Sequence, residues 1–335
     1  MSARHPLFEK IGNTPLRVLD VNTGGNRIFL KEECANPFGS HYDRVYPVLY
    51  QRYEELGILQ PGMTVLETTS GSAGVSFAGI GRLLGYKCIV AMPEGTENAR
   101  EEAIRAEGAD IILTPKDLYV NGFPPFLKKF RRENPDVVFL NHSMGQKKGT
   151  ENRVVTDALG AIAHEILDQL ATVDYFVVAV GNGSSILGPG RVFKQKTGEK
   201  TRVVTFESFQ SGVAHDILHP GRYKEQYGFE IGELPRHKMY GTSFPGINFP
   251  HIRIAIQGEK LVSGSWLVSD QEVDANYLAA TGKKVPDELP RWDAVELRPY
   301  GRSTRAGLAV ALKLVECVKD KNIVFIAYDK EDRYD

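Results

Sequence analysis

Short apolar segments rich in β-branched residues alternate along this chain with longer segments of helical spacing. In the first half the apolar segments read MTVLET, CIVAM and DIILT, and between them lie VSFAGIGRLLG and a charged segment around Ala103 and Ile104. In the second half YFVVAVG, TRVVTFES and IVFIAYD are nearly continuous apolar runs, which is typical of strands covered on both faces. Strands that alternate with helices build βαβ units. We therefore expect an α/β fold with parallel sheets flanked by helices.

Size and charge narrow the classes of ligand. The 335 residues are 42% hydrophobic and 25% charged, which is enough for two lobes, and the formal net charge is -1. A near-neutral chain has no overall field to attract nucleic acid or an anionic membrane, so a small neutral or zwitterionic ligand fits better. The basic run KKFRREN at residues 128–134 carries its own glutamate, and we interpret it as a solvated helix face.

The cysteines and the first residues of the chain indicate in which cellular compartment the protein works. Cys34, Cys88 and Cys317 form no CxxC pair, which argues against a disulfide framework or a structural zinc site. The opening residues MSARHPLFEK lack the apolar stretch of a signal peptide, and no apolar run approaches the roughly 20 residues that span a bilayer. We expect a cytoplasmic protein with no metal and no membrane partner.

Two glycine-rich loops follow predicted strands. TSGSAG at residues 69–74 comes after MTVLET, and GNGSS at residues 181–185 comes after YFVVAV. Small residues there let backbone N–H groups converge on an anion, and the following helix adds positive potential at its N-terminus. Either loop alone is also compatible with a plain turn or helix cap. Together they predict an anion site at the carboxyl ends of the strands.

Longer blocks of sequence resemble the cysteine synthase family, in the tryptophan-synthase-β-like, fold type II class of pyridoxal phosphate enzymes. The blocks run in family order from residue 11 to the last residue: IGNTPLRVL, IFLKEECANPFGS, TSGSAGVSFA, GYKCIVAMPE, VGNGSSILG, AVELRPYGRSTRAGLAVALKL and DKEDRYD. The resemblance implies a two-domain fold, with a small domain at residues 43–148 and a large domain at residues 1–42 and 149–335. It also implies a homodimer that binds an amino-acid substrate.

The resemblance assigns roles to particular residues. One loop matches the cradle of the cofactor phosphate, through Gly181, Asn182, Gly183, Ser184 and Ser185. The other matches the loop that grips the substrate carboxylate, through Thr69, Ser70 and Gly71. Ser303 matches the serine that faces the pyridine nitrogen, although it could instead cap the helix that follows.

The stretch FGSHYDRV at residues 38–45 departs from the family. The family's catalytic block carries a Schiff-base lysine where this chain has Tyr42, and a phenol cannot form an imine with an aldehyde. In the substrate loop, Ser72 and Ala73 stand where the family has asparagine and threonine. That asparagine usually touches the cofactor's ring oxygen, which a shorter serine would not reach easily. Pyridoxal phosphate would then be bound without a covalent bond.

Two interpretations of Tyr42 stay open. Ser40 followed by Asp43 resembles a capping box, and Pro47 would start the helix near Asp43, so that Tyr42 merely fills the lysine's space. Alternatively Tyr42 and His41 take over proton transfer, because histidine titrates near neutrality and a phenol beside a cationic ring has a lowered pKa. The other amines near matching blocks are Lys31 and, in GQKKGT, Lys147 and Lys148.

Three functions follow from these residues. The first is a cysteine-synthase-like enzyme that acts on a β-substituted amino acid, by β-elimination or replacement, with non-covalent pyridoxal phosphate. The second is an inactive pseudoenzyme that binds an amino acid or a phosphorylated ligand. The third is an enzyme without pyridoxal phosphate whose phosphate loop takes a phosphorylated substrate. The loop FPGINFPHIR, at residues 244–253, is a candidate for lining the cleft, and the alternative is a surface connection with no catalytic role.

Overall fold

The fold is described here from a computed structural model. It describes residues 5–19, 23–147, 149–234, 237–242, 244–247, 249–270 and 300–334. Lys148 and the first part of the predicted cofactor-ring block, residues 294–299, lie outside the described residues.

The described residues form strands and helices in alternation. The strands are β1 (Leu16–Val18), β2 (Arg27–Lys31), β3 (Thr64–Thr68), β4 (Lys87–Pro93), β5 (Asp110–Thr114), β6 (Val138–Phe139), β7 (Tyr175–Ala179), β8 (Arg202–Ser208), β9 (Val262–Val268) and β10 (Asn322–Ile326). The helices are α1 (Tyr46–Glu55), α2 (Ser72–Leu83), α3 (Asn98–Ala106), α4 (Phe123–Glu133), α5 (Arg153–Gln169), α6 (Ser184–Thr197), α7 (Val213–Leu218), α8 (Arg222–Tyr227), α9 (Pro250–Arg253) and α10 (Arg302–Cys317).

Two sheets organise these elements. One is four-stranded in the order β5-β4-β3-β6, and every pair in it is parallel. The other is six-stranded in the order β1-β2-β10-β7-β8-β9, and β1 pairs with β2 antiparallel while the remaining pairs are parallel. The predicted α/β class with parallel sheets flanked by helices is confirmed. The domain boundaries at residues 43–148 stay a prediction.

The continuous apolar runs are buried strands. All five residues of β7 are buried, and so are Ile323, Val324, Phe325 and Ile326 of β10. Each such side chain contributes on the order of 1.5–3 kcal/mol when it is removed from water. The basic residues of KKFRREN lie exposed on α4, as the sequence predicted.

Small residues let α2 pack closely against the chain around residue 42. A Cβ added at Gly79 would come within 2.1 Å of the Phe38 ring, and one added at Gly81 would come within 2.3 Å of the Tyr50 hydroxyl oxygen. Backbone contact of this kind requires glycine. The packing holds α1 and the residues before it against α2.

The stretch before α1 differs from the predicted capping box. Ser40 does act as an N-cap, because its Oγ accepts from the Tyr42 N–H at 3.2 Å, but it caps a 3-10 turn, His41–Arg44. Asp43 does not reach back to Ser40; its carboxylate accepts from the Phe38 N–H at 2.6 Å and from the Ser76 hydroxyl at 2.6 Å. Helix α1 itself begins at Tyr46, so that Pro47 lies in the first turn, where a missing N–H costs nothing.

A buried ion network anchors the end of the same turn. The Arg44 guanidinium, 7% exposed, donates to Glu33 at 2.7 and 2.8 Å and to Glu165 at 2.6 and 2.8 Å. Lys31, which is fully buried, donates from Nζ to Glu165 at 2.7 Å and to the Thr14 carbonyl at 2.7 Å. The amine of Lys31 is therefore already engaged in holding strand β2 to helix α5.

Candidate functional site

A cavity of about 280 Å³ lies where strands of both sheets end. It is bordered by the residues after β3, β7 and β10, together with the 3-10 turn at His41. The sequence-predicted residues that border it are His41, Tyr42, Thr69, Ser70, Gly71, Ser72, Ala73, Gly181, Asn182, Gly183, Ser185 and Ser303. The structure thus brings the two predicted loops and the Tyr42 turn to one cavity, as expected for the carboxyl ends of parallel strands.

The loop after β7 forms the N-terminus of α6. Gly183 has a left-handed φ of 92°, and a Cβ there would lie 2.6 Å from the Ile252 nitrogen, so the loop cannot take this course with a larger residue. The Asn182 Oδ1 accepts from the Ser184 N–H at 2.9 Å and from its hydroxyl at 2.6 Å. Ser184 is therefore turned toward Asn182 and, alone among the predicted loop residues, does not border the cavity.

The loop after β3 has a similar construction. The Thr69 hydroxyl accepts from the Gly71 N–H at 3.1 Å, and α2 starts at Ser72. The Ser72 hydroxyl donates to Asp329 Oδ2 at 2.8 Å. Burial raises the pKa of the Asp329 carboxyl, against the opposing effects of Arg100 and Ser72. Ser72 therefore ties the loop after β3 to the segment that follows β10.

Arg100 at the cavity wall escaped the sequence analysis. Its side chain is buried, with Nη1 donating to the Ser70 carbonyl at 3.1 Å and Nε donating to the Arg333 carbonyl at 3.1 Å. A Cβ at Gly71 would lie 2.1 Å from Nη1. In the sequence Arg100 stands in a charged helical segment, ENAREEAIRAEG, where nothing distinguishes it from a solvated arginine.

Aromatic and imidazole rings surround Tyr42. The Asn182 Nδ2 donates to the Tyr42 hydroxyl oxygen at 3.4 Å, which links this residue to the predicted phosphate loop. The His41 ring centroid lies 4.1 Å from that of Tyr42 and 5.1 Å from that of Tyr328. The ring of His142 meets Tyr42 edge-on at 5.1 Å.

The acid-base properties of His41 and Tyr42 differ from the expectation. Burial raises the pKa of the Tyr42 hydroxyl well above its ordinary value, and the nearby Glu67 adds to this effect. Burial likewise lowers the pKa of His41 to about 3, and both of its ring nitrogens are buried without a hydrogen-bond partner. The predicted lowering of the phenol pKa is therefore wrong for this structure, because desolvation disfavours both charged forms.

A second ring cluster adjoins Tyr42 and was also missed. The side chain of His142 follows β6 and borders the cavity, and its Nδ1 lies 3.0 Å from Glu67 Oε2. Tyr46 places its hydroxyl 3.2 Å from the same ring nitrogen and 3.4 Å from the same carboxylate oxygen. Glu67 sits next to the predicted loop in LETTSG, but only the fold shows that it faces a histidine 75 residues away.

Comparisons with known proteins place this geometry in a family. A profile described as "Pyridoxal-phosphate dependent enzyme" matches residues 7–273. The chain belongs to this family. A cysteine synthase from Staphylococcus aureus is 30% identical over 232 residues, which cover 67% of this chain and 71% of that enzyme. A cysteine synthase from Flavobacterium sp. is 30% identical over 191 residues, and the match spans 56% of this chain and 60% of the length of that enzyme.

Solved structures support the same fold. A hydrogen sulfide-producing enzyme from Fusobacterium nucleatum superposes with a TM-score of 0.80 at 24% identity, over 99% of this chain and 100% of the other. Cysteine synthase from Entamoeba histolytica superposes with a TM-score of 0.76 at 25% identity, over 100% of this chain and 91% of the other. The fold is that of fold type II pyridoxal phosphate enzymes, and the family and its cysteine synthases depend on that cofactor.

The residues at one end of the cavity fit the family's cofactor. The N-terminus of α6, a helix of 14 residues, lies at the cavity, and Gly181, Gly183 and Ser185 border the cavity there. Such a helix terminus suits a phosphate group. Ser303 lies at the second position of α10, whose N-cap is Gly301, so it borders the cavity without capping the helix.

Among the described residues, the lysines that the sequence singled out lie away from the cavity. Lysine is absent from the described residues that border the cavity. Lys31 is held by Glu165, and Lys147 lies on the surface. Phe244 and Ile247 of the predicted cleft-lining loop do border the cavity, which confirms that part of the sequence analysis.

Membrane-spanning helices and metal sites are both absent from the described ranges. In that part of the chain no helix combines the length and the apolar character needed to cross a membrane. The same residues contain no group of histidine, cysteine, aspartate and glutamate side chains that could hold a metal ion.

Proposed function

We propose that the protein binds pyridoxal phosphate without a covalent bond and acts on a β-substituted amino acid by β-elimination or replacement, with Tyr42 at the position of the family's Schiff-base lysine. The observation that carries this proposal is the placement of the Tyr42 hydroxyl. It lies inside the cavity and accepts from Asn182, a residue of the loop that fits a phosphate, at 3.4 Å. The side chain at position 42 therefore faces the same ligand as the phosphate loop.

The other residues take roles that their positions support. The loop from Gly181 to Ser185 holds the phosphate, with backbone N–H groups and the α6 terminus as the attractive elements. Ser303 offers a neutral hydroxyl beside the ring. Thr69, Ser70 and Gly71, with Ala73, hold the carboxylate of the amino acid. Pyridoxal phosphate, when bound, supplies an electron sink for charge that develops on the substrate.

The cavity also controls water and charge. Tyr42 keeps its proton at neutral pH because burial raises the pKa of its hydroxyl, so it donates a hydrogen bond to a ligand oxygen and does not act as a base. The rings of His41 and Tyr328 close one side of the cavity and exclude water there. In a site of low dielectric constant, hydrogen bonds of this kind are stronger than in water.

A pseudoenzyme is the second candidate, and one observation favours it. With a pKa of about 3 for His41 and a raised pKa for Tyr42, neither residue accepts a proton at neutral pH. If no other base serves the cavity, the protein would bind its ligand without turnover. The two candidates differ in whether the α-hydrogen of a bound amino acid exchanges with deuterium from solvent.

A lysine restored at position 42 tests the position assigned to Tyr42. Wild-type protein and the Tyr42→Lys variant are incubated with pyridoxal phosphate, reduced with borohydride and mapped by peptide mass spectrometry. We expect equilibrium dialysis to detect bound cofactor in both, a reduced adduct at position 42 in the variant, and no adduct in the cavity of the wild type. The matched control is Val48→Lys, which adds a lysine at a partly exposed position of α1, 37% exposed.

The outcomes separate the parts of the proposal. An adduct on a native lysine at the cavity would contradict the assignment of Tyr42. A Tyr42→Lys variant that is folded by circular dichroism, binds the cofactor and yet forms no adduct would contradict the assigned position. Absence of cofactor from both proteins at saturating concentration would overturn the choice of pyridoxal phosphate.

A further inference from the structure

Glu67 and His142 form a buried pair at the edge of the cavity. Glu67 is fully buried and accepts from three donors: the Thr68 N–H at 2.8 Å through Oε1, and the His142 N–H at 3.1 Å and the Tyr46 hydroxyl at 3.4 Å through Oε2; the His142 ring nitrogen Nδ1 lies 3.0 Å from Oε2. A buried carboxylate needs this number of partners to offset its lost hydration. The pair is therefore a constructed feature of the fold and not a chance contact.

The sheet register brings the pair together. β3 pairs with β6 so that Leu66 lies opposite Phe139, and the Leu140 N–H continues the ladder by donating to the Leu66 carbonyl at 3.1 Å. Glu67 is the next residue of β3, and His142 follows β6 three residues after Phe139. The position of the carboxylate is thus set by β3, and the position of the imidazole is set by the residues just after β6.

The hydrogen-bond pattern selects one tautomer of His142. The Tyr46 hydroxyl donates its one hydrogen to Glu67 Oε2 at 3.4 Å, so it accepts from His142 Nδ1, 3.2 Å away, and Nδ1 carries the hydrogen of that bond. The lone pair then resides on Nε2. Because the ring borders the cavity and meets Tyr42 edge-on at 5.1 Å, Nε2 is the nitrogen left for a ligand. The carboxylate thus orients the imidazole through the Tyr46 hydroxyl, whereas in hydrolase triads the carboxylate accepts from the imidazole directly.

We propose that His142 is the proton acceptor of this site and that Glu67 is its positioning residue. In the transfer, the C–H bond at the substrate's α-carbon breaks, an N–H bond forms at Nε2, and the electron pair stays on the substrate carbon. The positive charge that develops on the ring faces Glu67. This assignment rests on the proposed function, which supplies the amino acid and the electron sink, and it provides the base that His41 and Tyr42 do not.

The neighbourhood of His142 is mostly neutral apart from Glu67. The rings of Tyr46 on α1 and Tyr42 on the 3-10 turn pack against it, and two further rings, His41 of the same turn and His251 of α9, interact with it electrostatically. Burial keeps the pKa of His41 and His251 low, so these rings add no positive charge at neutral pH.

The first test reads the tautomer directly, in the protein without added cofactor. Histidine is labelled with ¹⁵N, and the His142 signals among those of the eight histidines are assigned by their loss in His142→Gln. We expect a protonated Nδ1 and an unprotonated Nε2 in the wild type, and loss of this preference in Glu67→Gln. An Nε2–H tautomer in the wild type would overturn the assignment whatever the variants do.

The second test measures exchange of the α-hydrogen of O-acetyl-L-serine in D₂O with pyridoxal phosphate present. We expect His142→Gln to slow exchange by about 100-fold or more, as for loss of a general base, with cofactor binding unchanged. In Glu67→Gln we expect a smaller loss of rate than in His142→Gln, because the base remains but loses the carboxylate that orients it through Tyr46. The control is His164→Asn, an exposed histidine of α5, which leaves the rate unchanged.

The results distinguish the assignment of His142 as the base from the proposed function itself. Wild-type exchange that persists at full rate in folded His142→Gln would overturn the assignment of the base and leave the proposed function standing. Absence of exchange in the wild type, with cofactor bound, would refute the enzymatic function and the assignment together. An unchanged tautomer of His142 in Glu67→Gln would refute the positioning role of Glu67.

Discussion

The substitution Glu165→Gln tests the buried ion network that supports the turn at Tyr42. Glu165 accepts from Arg44, from Lys31 at 2.7 Å and from the backbone N–H of Asn13 at 2.8 Å. Glutamine keeps the shape but removes the charge that compensates a fully buried lysine. Removing one partner of a buried ion pair is strongly destabilising because the remaining charge is left without compensation.

The expected loss of stability follows from the shifted pKa of the Glu165 carboxyl group. Burial alone would raise the pKa of Glu165, but hydrogen bonds from Arg44 and Lys31 outweigh it and lower the pKa from 4.5 to about 2. At roughly 1.4 kcal/mol per pH unit, this corresponds to about 3 kcal/mol of stability at neutral pH. Because the folded-state pKa is depressed, that stability is present above pH 4.5 and is lost as the pH falls toward 2.

Urea unfolding at two pH values provides the assay. Near pH 7 we expect Glu165→Gln to lower the free energy of unfolding by about 3 kcal/mol, and near pH 3 by only about 1.5 kcal/mol, because the wild-type carboxyl is losing its advantage there. The matched control is Glu101→Gln, which breaks an exposed pair with Arg105 on α3 and costs less than about 0.5 kcal/mol. A difference between wild type and Glu165→Gln that does not change with pH would refute the reasoning.

Two further predictions concern the phosphate loop and the thiols. Gly183→Ala, which forces a Cβ to within 2.6 Å of the Ile252 nitrogen at a φ of 92°, should weaken pyridoxal phosphate binding at least tenfold in equilibrium dialysis. Gly198→Ala, at the other end of α6 with a φ of 63° and open space, is its control, and equal losses in both would show that backbone strain alone is responsible. Burial raises the pKa of Cys34 to about 12 and of Cys88 to about 11, so a thiol reagent should label exposed Cys317 rapidly and the other two only after unfolding. Fast labelling of more than one thiol in the folded protein would contradict the burial.

The sequence predicted well what is encoded locally. Strands β7, β8 and β10 lie in nearly continuous apolar runs because both faces of their sheet are covered. Such a run predicts a buried strand without any knowledge of the strands that pair with it. The two glycine-rich loops were predictable for the same reason, since a tight turn into a helix limits the residue types at that point. The Ser40 cap belongs with these, because its partner is two residues away.

Contacts between distant segments were not predictable from the sequence. Asp43 looked like half of a capping box, but its carboxylate is taken by Ser76, 33 residues away. The pKa of Tyr42 depends on how completely other elements bury it, and a pattern at residues 38–45 carries no such information. The pair of Glu67 and His142 arises from the register of β3 and β6, which the sequence predicts as strands without fixing their alignment.

The hydrogen bonds on either side of position 42 have a consequence for which residues can be substituted there. Ser40 fixes the backbone before the position, and Asp43 and Arg44 fix it afterwards through partners on other elements. The direction in which residue 42 points is thus set by its neighbours and not by its own chemistry. We therefore expect the fold to accept a lysine, a tyrosine or a cysteine at position 42 with the rest of the structure unchanged.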